Sequence, residues 1–376
     1  MKKIHMVDLV SQYQKIKPEV DQAVISVIEN AQFINGPEVS AFQLELQQYL
    51  GVKHVIPCAN GTDALQIALM ALGLKQGDEV ITPSFTYIAT TEVMALLGLK
   101  PVFVEADKNT FCIDVEAIKA AISPKTKAIV PVHLYGQAAN MEEIMQIAEE
   151  HGLFVVEDNA QAIGCDYSFT NGTSKKTGTI GDIGCTSFFP SKNLGCFGDG
   201  GAICTNNDDL AVKMRMIANH GQSKRYYHDV VGCNSRLDSI QAAVLRIKLR
   251  QLDNYINARI TAADYYDAFF KEFENIETPT RASYSNHVFH QYTLKLNGLN
   301  RDALQAFLAE KDIPSMIYYP VPAHRQEMFA SFGSVHTNLP VTDWLTERVI
   351  SLPIHTELEE DQLHYICSSV AEFAKQ

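Results

Sequence analysis

The first clues are absences. The eight cysteines, at 58, 112, 165, 185, 196, 204, 233 and 367, include no C-x-x-C pair in 376 residues. That scatter excludes a zinc knuckle or a disulfide framework and predicts reduced thiols packed in a core. The twelve histidines show neither H-E-x-x-H nor any paired spacing, so no metal site is expected. Basic charge is not in excess. The formal net charge is −13, which offers nucleic acid no global field, so an anionic ligand must be met by a local cluster. No apolar run approaches the ~20 residues that span a bilayer. The Met1–Asp8 segment carries two lysines but no apolar stretch or cleavage site, so no secretory leader is expected. Repeats, low-complexity tracts and long linkers are also missing. These absences predict a cytoplasmic protein acting on small molecules, with neither membrane nor nucleic acid as partner.

What is present has the composition of a folded globular chain, 46% hydrophobic and 20% charged. The length suits one large domain plus a smaller one. Val20, Val24, Val27 and Ile28 recur at helical spacing and predict an early amphipathic helix. Apolar strand candidates follow at 79–82, 101–105, 128–133, 154–157, 184–188 and 201–205. Helix candidates alternate with them at 62–72, 90–97, 115–121, 141–151 and 208–218. Strands with little internal polarity, separated by helices, predict an α/β fold with a mainly parallel sheet covered on both faces. From Asp238 a single long helical stretch is expected towards Phe270. Beyond it come a strand at 291–296 and helices near 301–310 and 360–374. We therefore expect a large domain over 1–260 and a smaller α+β domain over 261–376.

Five short segments carry candidate chemistry. Glu157-Asp158-Asn159-Ala160-Gln161 follows an apolar strand, where ligands of open parallel sheets sit. Asp158 there is either a helix cap or an acid facing a cofactor nitrogen. Ser187-Phe188-Phe189-Pro190-Ser191-Lys192 leads to Gly198-Asp199-Gly200-Gly201, with Lys192 in a turn beyond a strand. Desolvation in such a turn would free its amine for nucleophilic chemistry, and Ser187 offers a hydroxyl to a phosphate. The glycines do not match a Walker loop. Asn60-Gly61-Thr62 opens a helix, whose first N–H groups form an anion site or a plain capping turn. Ser84-Phe85-Thr86-Tyr87 supplies aromatics, with Phe85 expected in the core and Tyr87 available to stack. Asn234-Ser235-Arg236-Leu237-Asp238 enters the long helix.

In chain order these segments resemble the sugar aminotransferases of the DegT/DnrJ/EryC1/StrS group, within fold-type I pyridoxal-phosphate enzymes. The resemblance extends from Val7-Asp8-Leu9 to Ser351-Leu352-Pro353. It implies that Lys192 carries pyridoxal 5'-phosphate as a Schiff base and acts as the catalytic base. Asp158 would pair with the ring nitrogen, Gln161 with the ring hydroxyl, and Tyr87 would stack on the ring. Gly61, Thr62 and Ser187 would hold the phosphate, and Asn234 would reach it from the neighbouring subunit of a homodimer. Relatives that dehydrate sugars have histidine at the lysine position, so Lys192 implies transamination.

The 58–69, 220–222 and 234–242 stretches look closest to enzymes acting on UDP-2-acetamido-2-deoxy-3-oxo-D-glucuronic acid, with glutamate as donor, for surface polysaccharide. Arg236 would grip the substrate carboxylate, with Lys224 and Arg225 as alternatives there or at the diphosphate. Tyr319 and His324, in the Tyr318–His324 cluster, would close the site from the small domain. A dTDP-3-keto-6-deoxyhexose aminotransferase is the alternative. A non-catalytic cofactor-binding regulator is the alternative of another class.

Overall fold

A computed structural model describes residues 2–332 and 337–375. The chain opens with α1 (Leu9–Glu29) and α2 (Pro37–Leu50). Then β1 (His54–Cys58) leads into α3 (Gly61–Ala71), β2 (Glu79–Pro83) into α4 (Ala89–Leu96), and β3 (Lys100–Val104) into α5 (Val115–Ala121). Next come β4 (Thr126–Ile129), α6 (Met141–His151), β5 (Phe154–Asp158) and the small hairpin β6 (Asp166–Ser168) with β7 (Ser174–Lys176). Strands β8 (Ile183–Ser187) and β9 (Gly201–Thr205) precede α7 (Asp208–Ile217).

Seven of these strands form one sheet in the order β1-β9-β8-β5-β4-β2-β3. Pairing is parallel from β8 through β5, β4 and β2 to β3, while β9 is antiparallel to both β8 and β1. The mainly parallel sheet expected from sequence is therefore present, with one reversed strand. The reversal has a local cause, because the 188–200 connection contains no crossover helix to bring the chain back in parallel.

Strand periodicity explains why both faces are apolar. Ile81, Ile129 and Val155 join α2, α5 and α6 in one core cluster, while their neighbours Val80, Ala128 and Val156 join α3, α4 and α7 in another. All eight cysteines are free; seven are buried and Cys233 is half-buried.

The expected long helix after Asp238 is two helices, α8 (Ser239–Leu249) and α9 (Leu252–Phe270). The break falls at Gln251, with φ −101° and ψ −3°, whose N–H turns back to Lys248 O at 3.0 Å. No glycine or proline marks it, so the periodicity reads straight through. A hairpin of β10 (Gln222–Lys224) and β11 (Tyr227–His228) precedes α8. After α9, β12 (Ile276–Glu277), β13 (Tyr292–Leu296) and β14 (Val349–Leu352) form an antiparallel sheet in that order. With it come α10 (Arg301–Glu310), α11 (Pro340–Arg348) and α12 (Glu360–Ala374). Tyr266, Phe270, Leu294, Leu308, Ile350 and Ile366 share a separate apolar cluster there, which Ile4 joins from the N-terminus. Among the described residues no helix is long and apolar enough to cross a membrane.

Candidate active site

β1, β2, β5 and β8 all point the same way, since β1 and β8 are each antiparallel to β9. Their carboxyl ends, Cys58, Pro83, Asp158 and Ser187, therefore lie on one edge of the sheet, where open α/β sheets bind ligands. The loops beyond these ends surround a cavity of about 760 Å³. Gly61, Thr62, Tyr87, Asp158, Gln161 and Ser187 line it, together with Lys192 and Tyr319. Eight residues singled out in the sequence thus meet in one place.

The two acids of β5 face opposite ways because strand side chains alternate. Glu157 is fully buried and accepts four hydrogen bonds: from the amides of Gly178, Ile180 and Gly181, each at 2.7 Å, and from His133 Nε2 at 2.8 Å. His133 Nδ1 in turn accepts from Ala139 N–H at 3.0 Å, which fixes the ring as the Nε2–H tautomer. Glu157 therefore anchors the turn that starts β8. Asp158 instead lines the cavity, 5% exposed, with Oδ2 accepting from Thr90 Oγ1 at 2.7 Å and Oδ1 from Ala160 N–H at 3.1 Å.

Lys192 sits in the turn after β8, its own N–H bonded to Phe189 O at 2.9 Å. Burial pushes its amine down to about 8, against the opposing pull of the Asp158 carboxylate. That brings an ordinarily cationic group within reach of its free-base form near neutral pH. Opposite it, Asn60 caps α3 by accepting from Asp63 N–H at 2.8 Å. The first-turn amides of Gly61 and Thr62 have no intrahelical acceptor and remain for an anion. Gly61 is required here by close approach: a Cβ would stand 2.7 Å from that of Ser187.

On the remaining sides, Tyr87 is 57% exposed at the mouth, its ring centroid 6.1 Å from that of Tyr319. Gln161 Nε2 donates to Tyr319 Oη at 2.9 Å, and its Oε1 accepts from Tyr135 N–H at 2.7 Å. One N–H of that amide stays available to a ligand. His290, Gln291 and Tyr318 complete the wall. The first two were missed in the sequence, where Gln291 reads as the start of a strand, His290 lies just before it, and neither carries a motif.

Five of the remaining candidates lie elsewhere. Asn234 is exposed, and Arg236 lines a separate recess of about 290 Å³ beside Arg215 and Asn219. Lys224 and Arg225 stand on the exposed β10–β11 hairpin. His324 is also outside the Lys192 cavity. It is fully buried, with Nδ1 2.7 Å from Ser84 Oγ, and its main-chain N–H donates to the same oxygen at 3.0 Å. Ser84 begins the loop that carries Tyr87, so His324 touches the loop that leads to the cavity. Phe85, by contrast, is in the core as expected.

These residues form a donor set that fits pyridoxal phosphate. They offer helix amides and a hydroxyl for a phosphate, an acid at the cavity floor for a ring nitrogen, an amide for a ring hydroxyl, and a desolvated amine for an aldehyde.

Residues 14–371 match the DegT/DnrJ/EryC1/StrS aminotransferase family. A protein of Geobacillus stearothermophilus named a pleiotropic regulatory protein is 46% identical over 98% of each chain. The UDP-2-acetamido-2-deoxy-3-oxo-D-glucuronate aminotransferase of Pseudomonas aeruginosa is 44% identical over 98% of this chain and 99% of its own. A UDP-N-acetyl-3-dehydro-alpha-D-glucosamine 3-aminotransferase of Acidithiobacillus ferrooxidans is also 44% identical, over 98% and 97%. Among solved structures, NtdA of Bacillus subtilis with bound cofactor PMP superposes with a TM-score of 0.92 at 30% identity, covering 100% of this chain and 86% of that one.

Proposed function

The chain belongs to the DegT/DnrJ/EryC1/StrS aminotransferase family, and from that premise we propose that it aminates the 3-keto carbon of a UDP-sugar, using pyridoxal phosphate held at Lys192. The observation that carries this reading is the meeting of Lys192, its amine pushed down to about 8, with Asp158 and the open amides of α3 in one cavity. Bound there, pyridoxal phosphate supplies an electron sink for the carbanion left when a Cα proton is removed. Asp158 keeps a proton on the ring nitrogen. Lys192, freed by the incoming amino donor, would act as the base that takes the donor's Cα proton and hands it on across the imine nitrogen. The amides of Gly61 and Thr62, with the Ser187 hydroxyl, hold the phosphate, and Tyr87 covers the ring.

Glutamate is the proposed donor and UDP-2-acetamido-2-deoxy-3-oxo-D-glucuronate the proposed acceptor, a reaction in the cytoplasm that supplies surface polysaccharide. Arg236 grips the uronate carboxylate in this reading. Because it and Asn234 lie outside the Lys192 cavity of their own chain, we assign them to the cavity of a second copy. The glucosamine relative favours a second acceptor reading, a substrate with a hydroxymethyl group in place of that carboxylate. The dTDP-3-keto-6-deoxyhexose is the third.

Turnover of the three 3-keto nucleotide sugars with purified enzyme and glutamate separates these readings. Arg236→Ala is expected to lower kcat/KM for the uronate by 2–5 kcal/mol, roughly 30-fold or more, while leaving the hydroxymethyl sugar nearly unaffected. Equal losses on both sugars would remove the carboxylate role. If no amino donor changes the spectrum of the bound cofactor, a regulator that binds without turnover is left standing.

A further inference from the structure

The strand ends account for the floor and mouth of the cavity, but the wall made by His290 and Gln291 is held differently. Val288 N–H donates to Gly136 O at 2.8 Å, and Val288 O accepts from the side chain of Asn193, the residue after Lys192, at 2.9 Å. Gln291 N–H donates to Tyr135 O at 3.3 Å. Between them Phe289 has φ 45°, a left-handed conformation that a bulky L-residue enters only at a steric cost. Gly136 comes so near that a Cβ there would stand 2.9 Å from the main-chain nitrogens of Phe289 and His290. Such a backbone persists only where its surroundings over-determine it.

Arg259 of α9 completes that hold. It is 2% exposed, and no carboxylate pairs with it among the described residues. Its Nη1 donates to the carbonyls of Phe289 at 3.1 Å, His290 at 3.3 Å and Ile354 at 3.0 Å. An apolar side chain would fill this space without desolvating a cation, and burial does push the guanidinium down to about 10. Two of its three acceptors belong to the strained segment. His290 is itself buried, and burial, with Lys192 and Arg259 nearby, holds its imidazole neutral. Besides Lys192, the other titratable groups lining the cavity are Asp63 on α3, Asp158 on β5, Asp199 before β9, Tyr87 beyond β2, and Tyr318 and Tyr319 before β14; Lys248 on α8 and His355 also sense the Arg259 charge.

We propose that Arg259 is a positioning residue of the active site, fixing through the Phe289 and His290 carbonyls the wall that His290 and Gln291 present beside Lys192. The proposal rests on reading this cavity as the aminotransferase site. Without Arg259, Phe289 relaxes from its left-handed conformation and carries His290 and Gln291 out of register with Lys192.

A double-mutant cycle on the holoenzyme tests it. Arg259→Met is expected to lower kcat/KM on the order of 100-fold, as misplacement near reacting groups does, and Arg259→Lys to recover part of that. Added to His290→Ala, Arg259→Met should cost less than about threefold more, because both remove the same wall. Losses that multiply in full would overturn the proposal. The second readout needs no turnover: the imidazole resonances of cofactor-free protein, with His290 assigned by its loss in His290→Ala. That resonance should report one neutral tautomer in the wild type and shift or broaden in Arg259→Lys, the variant most certain to fold. An unchanged His290 resonance beside a lowered melting temperature would make Arg259 a purely structural residue and end the proposal, leaving the aminotransferase reading intact. A wild-type protein inert towards amino donors and keto sugars would instead end that reading and leave the imidazole result standing.

Discussion

Lys192 shows how one residue changes meaning with its surroundings. In sequence it is a lysine in a glycine-rich turn; in the fold it is a desolvated amine whose counter-charge, Asp158, comes from another strand. Its lowered pKa sets the sign of a stability test on cofactor-free protein. Between about 8 and the ordinary 10.5 the unfolded chain binds more protons than the folded one, so stability rises with pH across that window. Wild type should therefore gain on Lys192→Met from pH 8 upwards, in denaturant midpoints measured side by side; a constant difference would remove the desolvation argument. Lys192→Met should also lose all transamination and the visible absorbance of covalently held cofactor. Much of the site was legible at this scale, because Asp158 and Ser187 end strands and Gln161 and Lys192 follow within a few residues. His290, Gln291 and Arg259 were not legible. Their roles depend on carbonyl contacts between α9 and a segment about 30 residues away, and no spacing in the sequence records a carbonyl.

At the scale of elements, the alternation of apolar strands and helices foretold five of the six parallel strands and the helices between them. It missed β1, where His54 and Pro57 interrupt the apolar run, although Pro57 fits because β1 is an edge strand. It also joined α8 to α9, since no breaker residue lies at Gln251. The boundary proposed at residue 260 falls inside α9; we propose that 1–260 and 261–376 are two domains sharing that helix, as their separate apolar clusters suggest. The start of α3 gives the sharpest test at this scale. Gly61→Ala suits a helix start, so any harm must come from the Cβ meeting Ser187. Overpacking of this kind costs ~1–3 kcal/mol and tilts the amides away from a phosphate. The variant should melt lower and bind pyridoxal phosphate more weakly, in thermal scans and cofactor titration. Ser187→Gly added to it should restore the melting temperature but not the affinity, because the hydroxyl is gone. Recovery of both would mean that the serine does not touch the phosphate.

For the whole molecule the proposed acidic substrate sets a charge requirement that Lys192 alone does not meet. The net charge is −13, and among the described residues no arginine lines the Lys192 cavity, while Asn234, Arg236 and the Lys224–Arg225 hairpin lie on other surfaces of the same chain. A twofold dimer resolves this if each chain lends that surface to the other's cavity, since an isologous interface places the same patch twice. Sharing of this kind predicts complementation between two defective chains. Lys192→Ala lacks the amine but keeps the lending surface; the double change Asn234→Ala with Arg236→Ala keeps the amine but lends nothing. In a mixed dimer one cavity receives both defects and the other receives neither. Random re-association makes half the dimers mixed, so about a quarter of all cavities should be intact. Activity on the uronate near that fraction, well above either defective parent and appearing only after the two proteins are unfolded and refolded together, is the expected result. If the co-refolded mixture stays as inactive as its parents, each cavity is built from one chain, and the acidic substrate must be met by residues already lining it.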